Sequence, residues 1–432
     1  MTGAVVLKIL SVWTLAVVVV PLASADLRSY VQADDGAYRW EHRAQAGRPD
    51  GLIVHELELT SQVWQGIPWR HRLQVLIPPT IPDLQPLVLL LITGTDPAEQ
   101  EVRDGKVMAQ ALRAPVAILH DVPNQPLFGG LEEDALLAYT FVQFLDTQDP
   151  TWPLLLPMVK GVVRAMDAVQ AFLQRERHAA VSGFVVSGTS KRGWTTWLTP
   201  VVDERVKAIA PMVYDNLNLA QQLRHQRAMW GDVSGEIADY TTHGLPQRLL
   251  AGEQRARELA ALVDPFSYRQ QLTLPKLIIL GTNDRYWPLD AFHVYADALP
   301  GERYLLYLAN AGHTLQPGRK RVVAGLMALF QHTAGRRRLP TLRGEAKAQA
   351  STLTLALTSD QQPQAVRVWM ATAPTTDFRE ARWEAFTMHR EPSGYIYRHA
   401  KRSRQITAIF GEAEYPADSG PFVLTTTVSL FR

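Results

Sequence analysis

Short apolar runs bounded by polar turns recur along the first three quarters of this chain. Leu87–Ile92, Val116–Leu119, Phe184–Val186, Ala208–Val213, Leu277–Leu280 and Tyr304–Leu308 are each continuously apolar, as strands buried on both faces of a sheet must be. Between several of them the period lengthens to three or four. Met158, Val162, Met166, Val169 and Leu173 place one apolar stripe on a helix directly upstream of Phe184. Such alternation predicts a mostly parallel sheet flanked by helices. Ahead of it, Leu52–Leu59 and Leu73–Ile77 read as an antiparallel lead-in, with Gln65-Gly66-Ile67-Pro68 near the turn. Two stretches break the rhythm, residues 121–157 and a largely helical 214–273. Insertions after the strands of such a sheet lie over its C-terminal edge, so these read as a cap. Beyond residue 335 the helical spacing stops. Leu353, Leu355 and Leu357, then Val366, Val368 and Met370, then Phe422, Leu424, Thr426, Val428 and Leu430 follow period two, which predicts a small β-sandwich domain over 336–432.

One turn in this pattern carries chemistry. Phe184-Val185-Val186-Ser187-Gly188-Thr189-Ser190-Lys191-Arg192-Gly193-Trp194 delivers a serine from an apolar strand into a glycine-flanked turn ahead of a helix-like segment. This is the layout of a nucleophile elbow, where a strained backbone lifts Oγ clear of the sheet and small neighbours are required. The usual GxSxG pattern is shifted at its second glycine, with Arg192 in that place and Gly193 one later. Two further strands end in groups that complete the set. Lys276–Gly281 runs into Thr282-Asn283-Asp284, and Tyr304–Leu308 into Ala309-Asn310-Ala311-Gly312-His313. Ser190, Asp284 and His313 thus occur in the chain order and contexts of an α/β-hydrolase triad. Singly, each has a plainer reading: a serine after a strand caps a helix, an aspartate closes an Asx-turn, and a histidine after glycine is a loop residue. Asp290 is the competing acid; Asp284 is preferred because it lies right at the strand end.

A serine hydroxyl is a poor nucleophile at neutral pH, so His313 must take its proton during attack and return it to the leaving group, with Asp284 holding the ring. The oxyanion needs two donors. The Lys191 amide is one, and Gly94 or Thr95, after the early strand Leu87–Ile92, supplies the other. Lys191 and Arg192 either brace an anionic group or snorkel from the helix and pair with Asp203-Glu204. Glu132, Glu133 and Asp134 either capture a cationic substrate group or cap a helix that begins there. Trp230, Trp287 and Tyr286 are candidate pocket walls, against the alternative that they pack in the core.

The bulk numbers add an address and several exclusions. The chain has 432 residues, 47% of them hydrophobic and 20% charged, enough for a large core and unlike a disordered chain. A formal charge of +2 gives no reason to invoke nucleic acid. Residues 1–25 read as a secretory leader, with Lys8, an apolar Ile9–Val20 and Ala23-Ser24-Ala25 before Asp26. The mature chain is then expected outside the cytoplasm, secreted or periplasmic, with no stable membrane span. It has no cysteine, which excludes disulfides and thiolate catalysis. His55-Glu56 lacks the second histidine of an HExxH metal helix, and neither cofactor nor metal is expected.

The chain resembles the PhoPQ-activated pathogenicity-related protein family. The matching phrases are Leu59-Thr60-Ser61-Gln62-Val63-Trp64, Glu133-Asp134-Ala135-Leu136-Leu137-Ala138-Tyr139-Thr140, the distinctive Ser190-Lys191-Arg192-Gly193-Trp194, Asp264-Pro265, Gly281-Thr282-Asn283-Asp284, Asn310-Ala311-Gly312-His313 and Asp377-Phe378-Arg379. The resemblance implies a secreted or periplasmic α/β-hydrolase over 26–335 with an appended β domain, and no defined substrate. Over only a few positions, the elbow is also similar to that of glucuronoyl esterases, in which a cation follows the serine. The expectation is a serine hydrolase acting on a small ester or peptide-like substrate. The alternative is a non-catalytic secreted binding or signalling protein on a hydrolase scaffold.

Overall fold

Leu87–Ile92 forms a strand whose six side chains divide between two cores: Val88, Leu90 and Ile92 join one, and Leu87, Leu89 and Leu91 the other. A strand sends alternate side chains to opposite faces, so a continuous apolar run is what burial on both faces demands. The computed structural model containing it describes residues 26–95, 99–349, 352–400 and 405–432. The expected leader lies outside the described residues.

The nine-stranded sheet comprises β1 (Arg39–Gly47), β2 (Ile53–Trp64), β3 (Ile67–Ile77), β4 (Leu87–Ile92), β5 (Val116–Leu119), β6 (Gly183–Thr189), β7 (Val206–Met212), β8 (Lys276–Gly281) and β9 (Arg303–Leu308). Their order is β1-β2-β3-β5-β4-β6-β7-β8-β9. The first three strands and their junction with β5 are antiparallel, and all pairings from β5 to β9 are parallel. This is the α/β-hydrolase fold. The reversal of strand order at β4 opens a crevice at the carboxyl ends of β4 and β6, where ligands of such sheets bind. The edge strand β1 is not legible as an apolar run because it pairs only with β2 and is largely exposed.

Helices cover both faces. α1 (Leu27–Gln32), α4 (Leu155–Arg177) and α5 (Lys191–Val202) pack on one, and α2 (Glu99–Leu112) and α10 (Arg319–Thr333) on the other. The stripe Met158, Val162, Met166, Val169, Leu173 is buried along α4 as its spacing predicts. The segment 121–157 contributes α3 (Glu133–Thr147). The segment 214–273 contributes α6 (Leu219–Trp230), α7 (Ala238–Thr242), α8 (Leu245–Leu250) and α9 (Gln254–Val263).

The C-terminal strands make two antiparallel sheets. One orders β10 (Leu342–Gln349), β11 (Thr352–Ser359), β15 (Gly394–Ala400) and β14 (His389–Glu391). The other orders β13 (Glu384–Thr387), β12 (Ala365–Ala373), β16 (Ile406–Tyr415) and β17 (Phe422–Thr425), with β18 (Ser429–Phe431) also on β16. Leu355 and Leu357 of the first and Val366 and Val368 of the second share one core. The period-two run 422–430 is split: Thr426 Oγ1 accepts the Gly411 amide at 2.9 Å, and the chain leaves ladder geometry before β18 begins. Thr425 Oγ1 accepts the amide of Tyr307 on β9 at 3.0 Å, tying these sheets to the edge of the main one.

Candidate active site

β6 ends at Thr189, and the next residue holds a conformation few side chains adopt. Ser190 has φ 58° and ψ −120°, a strained region that persists only where its surroundings fix it. The glycines make room. A Cβ on Gly188 would lie 2.7 Å from Arg192 Cβ and from the Arg192 carbonyl oxygen, and one on Gly193 would lie 2.8 Å from the Met212 carbonyl oxygen. The displaced second glycine of the motif therefore serves the approach of α5 to β7.

Ser190 does not cap α5 with its side chain. Its Oγ lies 2.9 Å from His313 Nε2, and His313 Nδ1 lies 2.8 Å from Asp284 Oδ2. The other oxygen of Asp284 accepts the Tyr286 amide at 2.9 Å, so this residue closes a turn with Oδ1 and meets the imidazole with Oδ2. A carboxylate only accepts, so the hydrogen of the neutral ring sits on Nδ1 and Nε2 faces the hydroxyl as acceptor. The Tyr286 ring lies 4.2 Å from that of His313, centroid to centroid, and fixes its plane. Asp290 is engaged elsewhere, 2.7 Å from His225 Nε2.

Two backbone positions lie near the hydroxyl, one next in the chain and one on the facing loop. As the first residue of α5, Lys191 has an amide with no acceptor inside the helix. Gly94 shares a crevice wall with Ser190. A side chain at Gly94 would run into the Arg192 guanidinium, which explains its glycine. Thr95 is exposed and does not line this crevice.

Two further expectations need correction. Arg192 neither pairs with Asp203-Glu204 nor faces a ligand with a free charge. Its guanidinium grips Glu133 through Nη1 at 2.8 Å and Nη2 at 2.5 Å and donates through Nε to the Val122 carbonyl, while Asp203 is held by Arg205. Trp230 does not wall the pocket beside Ser190; it lies under the Arg379 guanidinium at 4.3 Å. In each case the contact is made across long sequence separation.

Glu133 and Asp134 are answered by cations. Lys191 Nζ lies 3.1 Å from Glu133 and 3.2 Å from Asp134, and Asp134 also accepts from the hydroxyls of Tyr240 and Tyr286. Burial alone would raise the Glu133 carboxyl, but the hydrogen bond and charge of Arg192, with the charge of Lys191, bring it down to about 2. Two carboxylates and two cations leave this group without net charge. Asp134, Lys191 and Trp287 line the pocket beside Ser190. Among the described residues, no three His, Asp or Glu side chains converge as a metal-binding set.

One support lies outside the sequence expectations. The segment after β12 reaches the triad loops: Asn283 Nδ2 donates to the carbonyls of Arg379 at 3.1 Å and Ala381 at 2.7 Å, and Arg285 pairs with Glu380. The phrase Asp377-Phe378-Arg379 is its sequence signal.

A family model described as PhoPQ-activated pathogenicity-related protein matches residues 27–379, ending inside that segment. The chain is 32% identical over 388 residues to autocrine proliferation repressor protein A of Dictyostelium discoideum, covering 84% of this chain and 77% of that one. Among solved structures it is similar to an acetyl xylan esterase from Paenibacillus sp. R4, at 12% identity over 70% of this chain and 91% of that one, with a TM-score of 0.49. It is also similar to acetyl xylan esterase 1 from Thermoanaerobacterium sp. JW/SL YS485, at 12% identity over 68% and 88%, with a TM-score of 0.44.

Proposed function

The chain belongs to the PhoPQ-activated pathogenicity-related protein family, and from that premise we propose that it is a serine hydrolase cleaving an ester or amide through an acyl-enzyme. The observation that carries this reading is the continuous relay from Asp284 through His313 to Ser190, at 2.8 and 2.9 Å, on a strained elbow. Ser190 Oγ attacks the carbonyl carbon while His313 Nε2 takes its proton, and Asp284 stabilises the imidazolium. The oxyanion is met by the Lys191 amide and by the Gly94 loop; one such donor is worth about 10²–10³ in rate. His313 then gives its proton to the departing oxygen or nitrogen, the carbonyl bond to it breaks, and water repeats the sequence on the acyl-serine.

The test is pre-steady-state turnover of a p-nitrophenyl ester. A burst of p-nitrophenolate equal to the enzyme concentration, absent from Ser190→Ala, is expected, and wild-type turnover that survives in Ser190→Ala overturns the reading. The alternative, a binding or signalling role on the same scaffold, is favoured by the name of the Dictyostelium relative, a proliferation repressor; under it no burst occurs. Export is part of the proposal, supported by the leader-like residues 1–25. Among the described residues no helix is long and apolar enough to cross a membrane.

A further inference from the structure

Beside Ser190 a cavity of about 120 Å³ runs under the cap helices. Phe141 of α3, Leu223 of α6, Leu245 and Leu249 of α8 and Leu259 of α9 line it. Of the aromatic residues that line it, Trp194, Trp287 and Tyr240 have their polar atoms engaged by protein groups, whereas the Tyr214 hydroxyl is buried without a hydrogen-bond partner. Trp194 Nε1 donates to the Val263 carbonyl at 2.6 Å, Trp287 Nε1 to the Val213 carbonyl at 3.3 Å and the Tyr240 hydroxyl to Asp134 at 2.9 Å, so a ligand meets their ring carbons. The charges at its Ser190 end, Lys191 and Asp134, answer each other at 3.2 Å. An ionised group entering this space would lose water and find no unanswered charge, only the unpaired hydroxyl of Tyr214 and side-chain amide nitrogen of Gln226.

The position of the cavity decides which half of a substrate enters. The leaving group must reach His313 Nε2 to take its proton, and His313 does not line the cavity; Tyr286, whose ring lies tilted against that of His313 at 4.2 Å, lines it on that side. Ser190 and Lys191 do line it. The group that stays on the serine therefore points inward.

We propose that this cavity is the acyl site and that it selects an uncharged apolar acyl group of about six carbons, a specificity that rests on the serine hydrolase reading. An apolar cavity of ~150 Å³ takes up benzene, which sets the size. The transition state should gain about fourfold in rate for each methylene buried. The cap helices carry much of the wall, so the cap sets the limit.

The test uses p-nitrophenyl alkylphosphonates on the full-length protein. Ser190 Oγ bonds to phosphorus, the bond to p-nitrophenolate breaks, and the alkyl group on phosphorus stands where the acyl chain would. From methyl to pentyl the inactivation rate constant is expected to rise roughly 10²-fold in all at about fourfold per methylene, with undecyl no faster than pentyl and a carboxylate-ended pentyl chain at least tenfold slower. Leu249→Trp, which fills the cavity, is expected to lower the pentyl-to-methyl ratio about tenfold. Adducts forming at equal rates along the series, or faster with the carboxylate, overturn the acyl site while leaving the hydrolase intact. No adduct with any probe overturns both.

Discussion

Asn310 and Trp383 hold each other by two hydrogen bonds: Asn310 Nδ2 donates to the Trp383 carbonyl at 3.0 Å, and the Trp383 amide donates to Asn310 Oδ1 at 2.8 Å. Asn310 stands three residues before His313 in a left-handed turn with φ 59°, and Trp383 follows the segment that caps Asn283. The loops carrying acid and imidazole are thus both bound to the C-terminal segment. Asn310→Ala is expected to lower kcat by tenfold or more with little change in KM, since a displacement of about 1 Å costs up to 10²-fold. Steady-state kinetics with the p-nitrophenyl ester read the split; a change confined to KM contradicts a positioning role.

Glu133 binds two cations whose side chains are only 8% and 10% exposed, those of Lys191 and Arg192, while its own is 40% exposed. Removing its charge leaves the cations poorly compensated, and its exposure moderates the cost. Glu133→Gln is expected to lose about 1–3 kcal/mol in urea unfolding at pH 7. Its carboxyl titrates below its ordinary value of 4.5, at about 2, so the folded state binds that proton less tightly than the unfolded chain. The contribution is present above pH 4.5 and fades as pH falls toward 2. Equal losses for Glu133→Gln at pH 7 and pH 2.5 contradict this account.

Asp215 behaves in the opposite sense. It is fully buried, and burial, with Asp284 and Asp290 nearby, pushes its carboxyl from 3.8 up to about 7, although a hydrogen bond from Tyr295 at 2.6 Å opposes the rise. The folded chain holds this proton more tightly than the unfolded one, so its contribution is full below about pH 4 and is lost as pH rises through 7. Asp215→Asn keeps an acceptor for Tyr295 without the charge. It is expected to match wild type near pH 4 and to be more stable at pH 8, by up to about 4 kcal/mol. Urea unfolding at both pH values measures this, and an asparagine variant less stable at pH 8 contradicts it.

Gly188 leaves no room for a methyl group against Arg192. Gly188→Ala is expected to cut ester turnover at least 100-fold and to lower the thermal midpoint by several degrees, as overpacking of about 1–3 kcal/mol does. Calorimetry beside the kinetic assay checks both, and normal turnover in this variant contradicts the steric reading of the elbow.

Much of the fold is readable in the chain because its causes are local. Leu87–Ile92 is apolar at every position since both of its faces are buried, and Gly188 and Gly193 are small because α5 presses on β6 and β7. Ser190, Asp284 and His313 could be paired from order alone, each following a strand. Contacts between distant segments leave no such imprint. The partner of Arg192 lies 59 residues away, and nothing around Arg192 distinguishes Glu133 from Asp203. Trp230 reads as a pocket aromatic until Arg379 is found over its ring. β1 is hidden because an exposed edge strand imposes no apolar alternation.

The central claim is that Ser190 is a nucleophile activated by His313. Reaction with a fluorophosphonate, followed by peptide mass spectrometry, addresses it directly. A single adduct on Ser190, formed at least 100-fold more slowly in His313→Ala and absent from Ser190→Ala, is the predicted result. A folded wild-type chain that acquires no adduct at Ser190, or acquires it equally fast without His313, contradicts the account.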